Sequence, residues 1–332
     1  MSFDHMLPII FMALMGVAML AYVVLDGYDL GVGLLMPRAT DAQKDVMVSS
    51  IGPFWDANET WLVLGVGILL IAFPKAHGMV LTAMYLPVAL MLVGLILRGV
   101  AFDFRTKAHA QHKHLWNRAF FFGSGLAATS QGWMLGHYIT GLQTGWAYTA
   151  FCATIAVALP AAYVLLGACW LILKTEGELQ AHALRWARIA WPPVVLGIGL
   201  ISIATPLISE TVRERWFSMP AFIALLPIPL ITVLALLGLR ALLNSSRVLS
   251  DKMCWLPFTL VIVVFVLGFF GLAYSLYPFV VIDRLTLWQA ASSPASLKVI
   301  LFGCAFAVPA IAGYTVFAYR VFSGKATELR YA

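Results

Sequence analysis

Four carboxylates in two short segments are the residues of this chain best placed to do chemistry. "DGYDLGVG" puts Asp26 and Asp29 three residues apart, and "WDANETWL" puts Asp56 and Glu59 at the same spacing. Residues three apart lie on one face of an α-helix. An ionised carboxylate costs roughly 2.5–3.5 kcal/mol near a bilayer centre, so acids kept in apolar helices usually serve proton or ion transfer.

The sequence around these acids indicates an integral membrane protein. Of 332 residues, 62% are hydrophobic and 11% are charged, whereas soluble proteins are about 25% charged. We predict an all-α integral membrane protein, a single polytopic domain over 1–332, with about nine transmembrane helices. Each helix needs about 20 apolar residues, and the second run is short unless its helix begins near Trp55. The apolar runs are 8–30, 58–73, 79–100, 118–140, 146–173, 191–209, 220–243, 255–279 and 297–322.

The positions of Lys and Arg predict how the chain is oriented. With the N-terminus outside, five of the 21 basic residues fall on the outer side and the other 16 on the inner side. This asymmetry predicts a periplasmic N-terminus and a cytoplasmic C-terminus. It also explains the net charge of +6, so we expect no nucleic-acid partner. The N-terminal "MSFDHMLPII" has no basic region, and we expect it to be retained.

In this orientation the four acids approach the cytoplasmic ends of two consecutive helices. Arg98 ends the third span on the same side. Asp26 and Asp56 have large apolar neighbours, so we expect them to be buried and to form a proton relay. Asp29 and Glu59 lie nearer a helix end, where balancing nearby basic residues is an alternative role. A cage for a hard metal ion is a weaker alternative, because such a site needs several converging oxygens.

Histidine and cysteine give little support for a heme or metal site in this chain. His109, His112 and His114 lie in a basic loop, and only His137 falls inside a predicted span, near its outer end. No second His or Met stands out at a matching depth. The four cysteines lie in apolar runs without a CxxC motif. We therefore predict no heme or metal ligands. The residues alone fit a cation- or proton-coupled transporter, or a proton-feeding subunit of an energy-transducing complex.

In their order and spacing, six segments resemble subunit II of the cytochrome bd-type quinol oxidases. They are "DGYDLGVG", "WDANETWL", "LRGVAFDFR", "YPFVV", "LTLWQAASSPASLKVILFG" and "GYTVFAYRVFSGK". The compact length is similar to the cyanide-insensitive branch. The resemblance implies two four-helix bundles plus one peripheral helix, as a multi-pass protein of the bacterial cytoplasmic (inner) membrane.

The resemblance also implies a partner and the cofactors of the complex. Subunit I would carry two b hemes, heme d, their axial ligands and the quinol-oxidising loop, which leaves no catalytic residue in this chain. Quinol and oxygen would be the substrates of the complex. A small single-helix accessory subunit, a bound quinone or membrane lipid, and the quinone type stay open.

The resemblance also implies roles for individual residues, at the positions where this sequence matches the family motifs. The acids of a proton route from the cytoplasm would be Asp26, Asp29 and Asp56, with Glu59 beside them. Arg98 would form an ion pair with this cluster. Trp61 would lie near a lateral entrance through which oxygen reaches heme d.

Overall fold

The computed structural model describes residues 2–249 and 252–326 and is almost entirely helical. The helices are α1 Phe3–Leu35, α2 Asp41–Ile51, α3 Trp55–Ala72, α4 Pro74–Lys107, α5 Lys113–Ile139, α6 Trp146–Lys174, α7 Gly177–Ile208, α8 Glu210–Phe217, α9 Ala221–Leu225, α10 Pro227–Leu243, α11 Leu256–Leu276, α12 Leu287–Ala290 and α13 Pro294–Val321. Two short strands, β1 Phe279–Val281 and β2 Leu285–Thr286, pair antiparallel. Short 3-10 helices cover Met36–Arg38, Ala110–His112 and Ser246–Leu249.

Within the described residues, eight helical segments are long and apolar enough to cross a membrane. They are α1, α3, α4, α6, α7, α11, α13, and α9 together with α10. The all-α integral membrane architecture predicted from the sequence is confirmed. The run predicted at 118–140 corresponds to α5, a 27-residue helix whose mean hydropathy is reduced by polar residues such as Asn117, Ser124 and Gln131. The sides of the membrane reached by the two termini remain a prediction.

Contacts between the long helices fall into two groups of four. Helices α1, α3, α4 and α5 contact one another in a ring, and so do α6, α7, α10 and α11. The groups are joined because α1 and α5 both pack on α6. Helix α13 packs beside α1 and α3. This is the two-bundle arrangement with a peripheral helix that the family resemblance implies.

The junction between the groups is close because α1 and α6 meet at glycines. A Cβ added to Gly31 would lie 1.8 Å from the backbone oxygen of Tyr163, and one added to Gly167 would lie 2.6 Å from the carbonyl carbon of Gly31. Small residues let membrane helices approach until their backbones touch. The acid-bearing end of α1 is therefore held tightly against α6.

Two helix boundaries explain irregularities in the apolar pattern. Helix α3 begins at Trp55 and reaches 18 residues, so the short second run becomes long enough to span. The run at 220–243 is divided between α9 and α10 at Leu226, and Pro227 stands in the first turn of α10. Proline has no N–H to continue the preceding helix, which accounts for the break.

Candidate functional site

The centre of the site is an ion pair between Asp26 of α1 and Arg98 of α4. Arg98 Nη1 lies 2.5 Å from Asp26 Oδ1, and the two side chains are 1% and 0% exposed. Arg98 Nη2 donates a second hydrogen bond to Glu59 Oε1 of α3, whose side chain is 28% exposed. One guanidinium therefore holds carboxylates from two other helices. A buried charge is tolerated only when it is paired in this way.

Asp29 belongs to a second hydrogen-bond group beside the first. Its Oδ2 accepts from Asn58 Nδ2 at 2.8 Å, and the same amide nitrogen donates to the Tyr28 hydroxyl at 3.0 Å. The Tyr319 hydroxyl of α13 donates to Asn58 Oδ1 at 3.2 Å and lies 2.5 Å from the Tyr28 hydroxyl. Asn58 thus links Asp29 to two tyrosines. Helix α13, the peripheral helix, reaches the site through Tyr319.

Carboxylate exceeds cationic charge in this region. Asp26, Asp29 and Glu59 interact with Arg98 as their shared cation. In the part of the chain that the structure describes, Asp26 Oδ2, Asp29 Oδ1 and Arg98 Nε are buried without a hydrogen-bond partner. Each unpaired buried polar atom costs about 1–3 kcal/mol. A bound proton or water molecule would satisfy the two carboxylate oxygens.

The structure buries Asp29, one of the acids expected in the route, and exposes Asp56. Asp29, placed near an interface by its sequence position, is 0% exposed. Asp56 was expected to be buried, and this expectation is wrong because its side chain is exposed. The buried face of α3 runs through Ala57, Asn58 and Trp61. Asp56, in the first turn, points away from that face. The buried acids are therefore Asp26 and Asp29.

The comparison with protein families decides what kind of chain carries this cluster. The family model for cytochrome bd terminal oxidase subunit II matches residues 7–322. This chain belongs to that family. It is therefore a component of a terminal oxidase complex, and the resemblance drawn from the six segments is confirmed.

Curated relatives and a solved structure agree with this membership. The chain is 26% identical to cytochrome bd-I ubiquinol oxidase subunit 2 of Escherichia coli (strain K12), covering 98% of this chain and 96% of the relative. It is 26% identical to cytochrome bd ubiquinol oxidase subunit 2 of Bacillus subtilis (strain 168), covering 93% and 94%. A chain of the bd oxidase from Geobacillus thermodenitrificans superposes with a TM-score of 0.76 at 16% identity, covering 96% and 99%. This last similarity shows the shared fold.

In this subunit II chain, Trp61 lies inside a packed interface and is 7% exposed. It packs with Ala18 and Tyr22 of α1, and its Nε1 donates to Thr315 Oγ1 of α13 at 3.3 Å. An aromatic belt residue would instead sit at the membrane surface. Trp61 and the acid cluster thus lie in the same interface, where α1 packs on α3.

A cavity opens next to the Asp29 group, at the C-terminal end of α6. Its volume is about 470 Å³, and its lining includes Phe54, Trp170, Lys174, Cys254, Tyr319 and Lys325. Tyr319 lines the cavity and also bonds to Asn58. Tyr319 therefore connects the cavity to the Asn58 side chain, which in turn bonds to Asp29.

None of the seven histidines of this subunit II chain is fully buried. Of the seven, His5, His109, His112 and His114 are exposed and His77, His137 and His182 are half-buried. Over the described residues, no group of three or more His, Cys, Asp or Glu side chains is arranged to hold a metal ion.

Proposed function

We propose that this chain is subunit II of a quinol oxidase in the bacterial cytoplasmic membrane. Together with a heme-bearing subunit I, it would couple the oxidation of quinol to the reduction of oxygen to water. The relatives named ubiquinol oxidase subunit 2 support this complex. The two b hemes and heme d belong to subunit I, where they supply the electron transfer and the oxygen chemistry.

The role of this chain is to carry protons from the cytoplasm. The observation that carries the proposal is the graded exposure of three acids that follow one another into the bundle. Asp56 is exposed, Glu59 is 28% exposed and Asp26 is 0% exposed. Arg98 holds Glu59 and Asp26 on one guanidinium, so a single water molecule could carry a proton between them. Asp29 and its Asn58 support add a second buried acid to this route.

The direction of the route follows from the charge count. The excess of Lys and Arg predicts that the acid cluster lies at the cytoplasmic side. Reducing one oxygen molecule to water consumes four protons. If they come from the cytoplasm while quinol releases its protons on the other side, the complex generates a proton-motive force without a pump. A route with this polarity must begin where Asp56 and Glu59 lie.

Trp61 serves a separate purpose in this proposal, the access of oxygen. Its indole packs between α1, α3 and α13 among small and apolar side chains. An apolar lateral passage suits a nonpolar gas that concentrates in the bilayer. Trp61 would line that passage and not the proton route, which runs along the acids.

The second candidate function is a cation- or proton-coupled transporter, favoured by the surplus of buried carboxylate oxygens. Purification from the membrane separates the two functions. We expect the full-length chain to copurify with a partner that shows b- and d-type heme absorption and oxidises quinol. When this chain is expressed without its partner, we expect no stoichiometric Soret band. Isolation as a heme-free homogeneous chain from cells that also express the heme-bearing subunit would favour the transporter.

A further inference from the structure

A second buried polar group lies one helical turn from Asp26, and the route above does not use it. Gln131 Nε2 of α5 donates to the Tyr22 hydroxyl of α1 at 2.7 Å. The Tyr163 hydroxyl of α6 donates to Gln131 Oε1, also at 2.7 Å. Tyr22, Gln131 and Tyr163 are 2%, 8% and 0% exposed. Three polar side chains from three helices thus satisfy one another inside the membrane domain.

The hydrogen bonds fix which way each group points. The Gln131 carbonyl oxygen accepts from Tyr163, so its amide nitrogen faces Tyr22. The Tyr22 oxygen is then an acceptor, and its own hydrogen is free to be donated elsewhere. Tyr22 and Asp26, four residues apart, share one face of α1, so the free hydrogen of the Tyr22 hydroxyl is on the side of the helix that carries the carboxylate. Asp26 Oδ2 is the carboxylate oxygen without a partner in the described residues.

Tyr22 lies between the acid cluster, which contains Asp26, and Trp61. It lies toward the N-terminus of α1 from Asp26, about 6 Å along the helix at 1.5 Å per residue. It also packs against Trp61. Tyr22 is therefore on the side of Asp26 that faces the membrane centre, opposite to Asn58 and the cytoplasmic cavity.

We propose that Tyr22, held by Gln131 and Tyr163, is a positioning residue for the proton route. Its hydroxyl orients the Asp26 carboxylate so that a proton received from the cytoplasmic side leaves toward the membrane centre. Gln131 and Tyr163 act by preventing the Tyr22 ring from rotating. This role rests on the proposed proton route and extends it by one helical turn.

The test uses the purified complex with Tyr22→Phe, which removes the hydroxyl and keeps the ring. Tyr138→Phe is the matched control, because its hydroxyl bonds to the backbone oxygen of Val280, away from the acids. The reduced complex is mixed with oxygen, and proton uptake is followed with a pH-indicating dye. We expect Tyr22→Phe to slow proton uptake about tenfold, which is less than the roughly 10²–10⁴-fold contributed by a group that transfers the proton itself, because Tyr22 only positions Asp26. Heme content, the rate of oxygen binding and the KM for quinol should stay unchanged.

Two further variants separate the possible failures. Gln131→Leu keeps the Tyr22 hydroxyl but removes the hydrogen bond that orients it. We expect this variant to slow proton uptake by a smaller factor than Tyr22→Phe does. If Asp26→Asn slows uptake while Tyr22→Phe and Gln131→Leu do not, the positioning role is overturned and the proton route stands. If Asp26→Asn also has no effect, the proton route itself fails.

The same variants also distinguish two other outcomes, a loss of assembly and a nonspecific effect of removing a tyrosine hydroxyl. If Tyr22→Phe loses heme, Gln131→Leu decides, and normal uptake in that variant overturns the positioning role. Equal slowing by Tyr138→Phe would assign the effect to the loss of any tyrosine hydroxyl, which also overturns it.

Discussion

Replacing Arg98 with Gln should destabilise the complex strongly, because it leaves Asp26 without its cation. Asp26 is 0% exposed and cannot turn to water, whereas Glu59 is 28% exposed and can. Removing one partner of a buried ion pair costs about 3–5 kcal/mol. Losing the partly exposed pair of Arg98 with Glu59 adds at most about 1 kcal/mol. The expected loss in the free energy of unfolding is therefore about 3–6 kcal/mol. Most of it comes from the uncompensated Asp26.

The loss can be measured by denaturing the purified complex with SDS in mixed micelles and following heme absorbance and tryptophan fluorescence. Arg213→Gln is the matched control, since Arg213 and its partner Glu210 have side chains 53% and 71% exposed. Surface substitutions of this kind change stability by about 0.5 kcal/mol or less. Asp26→Asn combined with Arg98→Gln should recover part of the loss, with an interaction energy of roughly 1–3 kcal/mol. A loss below about 1 kcal/mol for Arg98→Gln, or strict additivity in the double variant, would refute the buried pair.

Further predictions concern oxygen access, helix packing and the cytoplasmic end of the proton route. Trp61→Ala should raise the apparent KM for oxygen several-fold with little change in maximal turnover, and unchanged oxygen kinetics would argue against a lateral passage there. Gly31→Val should abolish assembly with heme, since even a Cβ at Gly31 would lie 1.8 Å from the Tyr163 backbone oxygen; a normal heme yield would show that α1 and α6 can separate. Asp56→Asn should slow turnover less than Asp26→Asn, because water can replace an exposed acid; equal slowing would give Asp56 an obligatory role.

Much of the fold could be predicted from composition because apolar length alone identifies membrane helices. Helix α5 shows the limit of that rule, since a helix that contacts α4, α6 and α1 can carry Asn117, Ser124 and Gln131 on surfaces that lipid does not touch. The ion pair of Arg98 with the acid cluster was implied by the family resemblance, and the sequence places Arg98 and Asp26 toward the same end of their spans. Their contact required only that α1 and α4 belong to one bundle.

The depth of the other acids could not be predicted in the same way. Spacing of three residues places Asp56 and Glu59 near one face of α3, but it does not say which face packs on α1. That rotation is set by Asn58 and Trp61, which bond to α1 and to α13. Asn58 stands in the same motif as the acids, yet its partner Tyr319 is 261 residues away in sequence. Two residues so far apart in the sequence leave no local pattern from which their contact could be predicted.

The most direct measurement is charge movement during turnover of the complex with Asp26→Asn in proteoliposomes. Asn is nearly isosteric, and Arg98 keeps its bond to Glu59, so the complex should assemble with its hemes. Asp283→Asn is the matched control, because Asp283 is exposed outside the cluster and Asn tolerates its positive φ of 58°. We expect turnover and charge movement to fall on the order of a hundredfold in Asp26→Asn and to stay normal in Asp283→Asn. Wild-type turnover and charge movement in a fully assembled Asp26→Asn complex would contradict a proton route through this carboxylate.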